Sequence, residues 1–271
     1  MPYRRERLLS MEPGREKDMQ KAITEKVTVM DGDIPLQGIL ERPTAASSPL
    51  VVVLHGFTSS RERPHTLAAC QAMWQAGFAT LRFDLYGHGE SGGTFQSHTL
   101  HKWISNTLAV LAYAQTLDFV TEIWLSGHSQ GGLTAALAAG EQAACVKGLI
   151  LRAPAFMIPQ CAREGAMLGV SFDPVNIPAE FPTIKGLRLA GDYIRSAQSI
   201  RVEPAMEAFP GPVLLLYGEA DDVVPRRDVE MAARHYRNCS LVQLPGETHH
   251  FDRAPEQMQA AIRSWLLEQR A

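Results

Sequence analysis

Leu125-Ser126-Gly127-His128-Ser129-Gln130-Gly131-Gly132 decides the fold of this chain. Its centre, Gly127-His128-Ser129-Gln130-Gly131, is a Gly-x-Ser-x-Gly pentapeptide. An apolar, strand-like run (Phe119, Val120, Ile123, Trp124, Leu125) precedes it, and an Ala/Leu-rich helical run from Leu133 to Ala139 follows. A serine set between a strand and a helix in this way forms a nucleophile elbow. The turn is so tight that the residues two places either side of Ser129 have no room for a Cβ, and both are glycine. Such a turn lifts the hydroxyl to the C-terminal edge of a sheet. The helix behind it turns its free N–H groups and positive end toward the same point. An incidental serine in a glycine-rich turn would need no partners elsewhere, so the reading depends on what the rest of the chain supplies.

Working outward, strands and helices alternate. Leu50-Val51-Val52-Val53-Leu54 is a continuous aliphatic run, the pattern of a parallel strand buried on both faces, and it ends in His55-Gly56-Phe57-Thr58-Ser59-Ser60. Before it, residues 25–41 alternate around Asp31-Gly32-Asp33, which predicts a hairpin. After it come a helix over about 62–76 stopped by Gly77, a strand over 78–83, and the glycine-rich turn Asp84 to Gly93. Helical spacing over 100–117 leads to the strand before the elbow, and Val146 to Leu151 is a further short strand. From about 155 to 211 the alternation lapses in a stretch rich in Pro, Met and Phe, which predicts an inserted cap. The pattern resumes with a strand over 213–217, a helix over 226–237, a strand over 241–244 and a last helix over 255–268. Strands alternating with helices predict an α/β fold, a mostly parallel sheet with helices on both faces. The expected organisation is one domain over 23–271, preceded by a disordered leader over 1–22 that mixes Arg4, Arg5, Arg7, Arg15 and Lys17 with Glu6, Glu12, Glu16 and Asp18.

The 271 residues are 45% hydrophobic and 20% charged with a formal net charge of -3, so nothing favours a nucleic-acid partner. No apolar run is long enough for a membrane span, and the leader lacks the apolar core of a secretory signal. Cys70, Cys145, Cys161 and Cys239 are widely spaced without a Cys-x-x-Cys, which reads as reduced thiols and a cytoplasmic location.

A serine nucleophile needs a base, and the base needs an orienting group; in elbow-bearing folds the chain order is Ser, then Asp or Glu, then His. Two strand ends downstream of Ser129 supply both. One carries Gly218-Glu219-Ala220-Asp221-Asp222 and the other Gly246-Glu247-Thr248-His249-His250. Adjacent side chains diverge, so one member of Asp221/Asp222 and one of His249/His250 serves the site, and the residues alone leave both pairs open. The oxyanion of acyl transfer needs backbone N–H donors, expected from Gln130 and from Phe57 in the loop after the Leu50–Leu54 strand. His128 should point away from the site by alternation, and Asp84, His88 and Ser91 should stabilise their own turn. His65, His98, His101 and His235 form no metal-ligand spacing, and neither metal nor cofactor is expected. Met157, Met167, Leu168 and Phe172 are either cap core or the wall of an acyl pocket.

With these motifs in place, the chain from about residue 25 onward resembles the α/β-hydrolase superfamily. Within it, His55-Gly56-Phe57-Thr58, Gly127-His128-Ser129-Gln130-Gly131-Gly132 and the cap stretch from Asp173-Pro174 through Gly191-Asp192-Tyr193 to Ala197-Gln198 are similar to the bacterial cinnamoyl (feruloyl) esterases. The resemblance implies Ser129 as nucleophile, Asp221 as orienter, His249 as base, and Phe57 and Gln130 as oxyanion-hole positions. It implies a serine carboxylesterase acting on small esters, either aromatic (cinnamoyl-type) or short to medium acyl. A serine peptidase or thioesterase with the same triad is the alternative, and a non-catalytic ligand-binding relative the third reading. A homodimer is implied by resemblance alone. Feruloyl esterases of the group meet the phenolic hydroxyl with polar cap side chains, whereas the early cap here offers Cys161, Met167 and Leu168, beside Met157 as a further pocket candidate.

Overall fold

The structure, a computed structural model, describes residues 22–183 and 186–270. The leader expected over 1–22 lies outside the described residues except for Ala22, where the first strand begins. β1 (Ala22–Asp31) and β2 (Ile34–Pro43) form the expected antiparallel hairpin, turned by Gly32 at a φ of +59°. β3 (Ser48–Leu54) is buried at every position. Leu50, Val52 and Leu54 enter one apolar cluster, while Val51 and Val53 enter a second. Alternation sends successive side chains into two different cores, which is why this run has no polar gap.

α1 (Pro64–Gln75), β4 (Ala79–Phe83), α2 (Leu100–Gln115), β5 (Val120–His128), α3 (Gln130–Glu141) and β6 (Val146–Arg152) follow. The helix expected from residue 62 begins at Pro64, whose fixed φ and missing N–H suit the first helical turn. After residues 155–211 come β11 (Val213–Gly218), α7 (Arg226–His235), β12 (Cys239–Leu244) and α8 (Pro255–Glu268). The sheet order is β1-β2-β4-β3-β5-β6-β11-β12. β1 and β2 are antiparallel to each other, β2 is antiparallel to β4, and the remaining neighbours are parallel. α1 and α8 bury Ala69, Met73, Met258 and Trp265 on one face, while α2, α3 and α7 cover the other. All six parallel strands therefore end along one edge, where sites in such sheets lie.

The described residues of 155–211 hold three short α-helices, α4 (Ile158–Glu164), α5 (Asp192–Ser199) and α6 (Glu203–Ala208). Between them lie two small antiparallel pairs, β7 (Ala166–Met167) with β8 (Val170–Ser171) and β9 (Glu180–Pro182) with β10 (Arg188–Ala190). Phe156, Phe181, Leu189 and Tyr193 of this segment share one apolar cluster with α2 and α3.

Candidate active site

Ser129 links β5 to α3 at φ 54°, ψ -122°. A side chain at positive φ is strained, so the surroundings must hold it there. The Ser129 N–H donates to Arg152 O at 3.0 Å, and its carbonyl accepts from Gly132 (2.9 Å), Leu133 (3.2 Å) and Ala155 (3.0 Å). The two flanking glycines are steric requirements. A Cβ on Gly127 would lie 2.1 Å from Gly131 O, and one on Gly131 would lie 2.2 Å from His55 O. The same strain recurs around the sheet edge. Thr58, Ala153 and Phe251 have φ of 53°, 43° and 53°, and they follow β3, β6 and the loop after β12.

Of the two adjacent pairs, the structure joins Asp221 to His249. His249 Nδ1–H donates to Asp221 Oδ2 at 2.9 Å, and the two side chains are 6% and 3% exposed. Asp222 and His250 face solvent. The second Asp221 oxygen accepts the N–H groups of Val223 and Val224, each at 2.9 Å. Burial pushes the Asp221 carboxyl up, but the hydrogen bond and charge of His249 and the Val224 and Val223 N–H groups outweigh it and leave the group below its ordinary range. A carboxylate can only accept, so Nδ1 carries the proton and Nε2 of His249 keeps a lone pair.

Several contacts hold these loops in register. Ala220 N–H donates to Glu247 O at 2.8 Å, and Gly246 N–H donates to Glu219 Oε2 at 3.0 Å. The fully buried Glu247 carboxylate accepts the N–H groups of Thr248 and Arg253, both at 3.3 Å, and that of Ala254. The His128 ring packs against that of His249 with centroids 4.8 Å apart, and its Nε2–H donates to His249 O at 2.8 Å. One hydrogen bond thus joins the elbow strand to the backbone of the histidine loop. Sequence reasoning missed Glu247 and this His128 contact, because neither a glutamate after a strand end nor an alternating histidine has a motif.

The loop after β3 is pinned by His55. Its Nδ1–H donates to Gly56 O at 2.8 Å, and its Nε2 accepts from Leu85 N–H at 3.0 Å. Complete burial holds it near 4, against the opposing Gly56 bond, so the ring is neutral at pH 7. Neither Phe57 N–H nor Gln130 N–H has an acceptor among the described residues. The Gln130 side chain accepts from Tyr193 OH at 2.7 Å, a buried tie from α5 to the start of α3 that the sequence did not signal. Asp84 and Ser91 behave as expected. The Asp84 carboxylate accepts from the Arg61 guanidinium, from Arg61 N–H at 2.8 Å and from Glu90 N–H at 3.0 Å, while Ser91 Oγ–H donates to Asp84 O at 2.6 Å. Of the pocket candidates in residues 155–211, Met167 is buried, whereas Met157, Cys161, Leu168 and Phe172 are partly buried against the same apolar cluster. Leu168 (φ 54°) and Gly169 (φ 76°) make the tight turn between β7 and β8.

The family model described as "Serine aminopeptidase, S33" matches residues 45–172. The solved structure of Est1E from Butyrivibrio proteoclasticus with ferulic acid bound superposes with a TM-score of 0.88 at 43% identity, covering 90% of this chain and 98% of that one. The chain is an α/β-hydrolase. It is related to the cinnamoyl esterases. More distant from this hydrolase are human Protein ABHD12B (26% identical over 234 residues, 82% of this chain and 61% of that protein) and human palmitoyl-protein thioesterase ABHD10 (25% over 228 residues, 80% and 72%). The chain therefore spans less than two thirds of ABHD12B.

Among the described residues of this hydrolase, no helix is long and apolar enough to cross a membrane. Its histidines are less scattered than their spacing suggests. His55, His88 and His98 surround Trp103, with ring centroids 5.0–5.6 Å from the indole. His65, His128 and His250 form a second group.

Proposed function

We propose that this hydrolase is a serine carboxylesterase acting on small aromatic acyl esters of the cinnamoyl type. The observation that carries the chemistry is the buried Asp221–His249 hydrogen bond on the sheet edge where the strained Ser129 elbow opens. It leaves Nε2 of His249 free to take the Ser129 proton as Oγ attacks the ester carbonyl. The resulting oxyanion meets the N–H groups of Phe57 and Gln130, whose lack of other acceptors suits them to that role. His249 then hands its proton to the departing alcohol, leaving an acyl-Ser129. Water enters and attacks the acyl carbon as His249 takes its proton, and His249 then returns that proton to Ser129 Oγ as the acyl–oxygen bond breaks and the acid leaves. Asp221 holds the ring in the tautomer each step needs and stabilises its charged form.

The aromatic acyl class is supported by the likeness to Est1E, whose structure holds ferulic acid. The apolar Cys161, Met167 and Leu168 suit an aromatic ring. A phenolic hydroxyl set among them without a partner would be penalised. Methyl cinnamate, methyl ferulate and aliphatic esters of increasing acyl length, with Ser129→Ala as control, test the reading. Turnover of the cinnamoyl esters that disappears in Ser129→Ala is expected. Undiminished turnover in that variant overturns the chemistry. Hydrolysis of aminoacyl anilides or palmitoyl thioesters with esters left intact overturns the substrate class.

A further inference from the structure

We propose that His65, His128 and His250 form a transition-metal site behind His249, with zinc as its representative ion. The three come from separate parts of the chain: the start of α1, the end of β5 and the loop after β12. A ring nitrogen from each lies within 4.8 Å of the other two. The rings face one another, with centroids 4.5 Å apart for His65–His128, 5.6 Å for His65–His250 and 5.8 Å for His128–His250. Tetrahedral zinc with bonds near 2.0–2.1 Å brings its nitrogens to roughly 3.3 Å of one another. His250 is exposed and sits in a loop, so it can supply that closure by rotating its side chain.

The hydrogen bonds say which ring nitrogens keep a lone pair for an ion. His128 Nε2 lies 2.8 Å from a carbonyl oxygen, so the proton is on Nε2 and the lone pair is on Nδ1. That Nδ1 is buried without a partner, and so is Nε2 of His65. Unpartnered buried ring nitrogens are costly, and a cation satisfies two of them at once. Metal-bound histidines characteristically donate their other N–H to a backbone carbonyl or carboxylate, which is what His128 does with His249 O. Three imidazoles without a carboxylate select zinc, copper or nickel over magnesium or calcium, and leave a fourth position for water. Arg152 opposes a cation, since it is fully buried and its Nη1 donates to His65 O at 3.1 Å. That charge lowers the affinity for any cation at the site.

Tag-free full-length protein, stripped with a chelator and exchanged into chelator-free buffer, is titrated with zinc chloride by calorimetry. One zinc per chain and a rise in melting temperature are expected, with no response to magnesium chloride. His250→Ala, at an exposed position, and His65→Asn should each weaken zinc binding by about tenfold or more. Far-UV circular dichroism and melting in chelator check that both variants are folded. Cobalt gives a second readout through the visible absorption of a tetrahedral nitrogen-ligated ion, which both substitutions should remove. No zinc binding up to millimolar concentration, or binding that is equal in the parent and both folded variants, overturns the site.

Discussion

Asp221→Asn tests the proposed triad where the structure is most specific. Oδ1 of Asp221 is held by two backbone donors, Val223 N–H and Val224 N–H, each at 2.9 Å. An asparagine must keep its oxygen there, because turning its NH2 toward those donors would strand all three. Its NH2 then faces His249 Nδ1 at the 2.9 Å position now occupied by Oδ2. Donor against donor is not allowed, so Nδ1 loses its proton and Nε2 gains it. Nε2 can then no longer accept from the Ser129 hydroxyl. A base locked in the wrong tautomer lowers kcat by about 10⁴-fold, equivalent to about 5.4 kcal/mol at 1.36 kcal/mol per decade. The substitution is isosteric, so the fold should persist by circular dichroism. Steady-state hydrolysis of methyl cinnamate, with Asp222→Asn as the comparison, reads the effect. Asp222 faces solvent, and its variant should stay within about twofold of the parent. An Asp221→Asn enzyme that keeps more than about a tenth of the parent kcat, or an Asp222→Asn enzyme that loses as much as expected for Asp221, would refute the reasoning.

Gly127→Ala should abolish soluble expression or lower stability by more than about 3 kcal/mol, since the new Cβ would lie 2.1 Å from the Gly131 carbonyl oxygen and neither backbone can retreat; a soluble variant with parental melting temperature contradicts this. Tyr193→Phe removes the only hydrogen bond that the described residues make to the Gln130 side-chain amide, whose Nε2 is already unpartnered, and should cost about 1–3 kcal/mol in urea denaturation. A change below about 0.3 kcal/mol would show that the Tyr193 contact has no energetic weight. Stability should also fall as pH drops from about 6.5 toward 4. Burial above all holds His55 at about 4 and His88 and His98 at about 3, whereas their unfolded counterparts take up protons near 6.5. Below 6.5 the unfolded chain binds more protons, and each of these rings gives up about 2 kcal/mol by pH 5. Urea midpoints that stay flat between pH 7.5 and 5 would show that these rings are not neutral in the fold, and His98→Gln should flatten the slope.

The sheet was legible because β3 and β11 are short apolar runs buried at every position, and their length and, in β3, β-branched content mark strands covered on both faces. The elbow was legible for a steric reason, since two glycines around a serine are what the 2.1 Å and 2.2 Å approaches demand. Chain order brought Asp221 and His249 within range, but their neighbours Asp222 and His250 have the same chemistry. What separates them is which side of each loop turns inward, and that is set by backbone N–H groups of Val223 and Val224 and by the buried Glu247 carboxylate. Those contacts are between a side chain and main chain, where the donor carries no residue identity. The histidine groups escaped for a different reason. His65, His128 and His250 are far apart in sequence, and only the parallel order of the strands folds them together.

The strained residues show how such an arrangement persists. Thr58, Ser129, Ala153 and Phe251 each hold a positive φ that costs about 1–3 kcal/mol, and all four sit along the edge where the parallel strands end. Strain of that size survives only where the backbone on both sides is fixed. The strand residues leading into three of them are buried within β3, β5 and β6. The fourth, Phe251, is itself buried in the second core against α8. The geometry of Ser129, His249 and the loop after β3 therefore derives from the sheet and its two cores. The segment over 155–211 reaches that frame through Tyr193 and Gln130, while Met157, Cys161 and Leu168 lie partly exposed. Substitutions at those three positions should change which acyl group is accepted while leaving the Asp221–His249 bond intact. A variant such as Leu168→Gln that alters the ratio of ferulate to cinnamate turnover without moving the pH dependence of kcat would separate the two layers. A shift in both together would mean that the cap also positions the base.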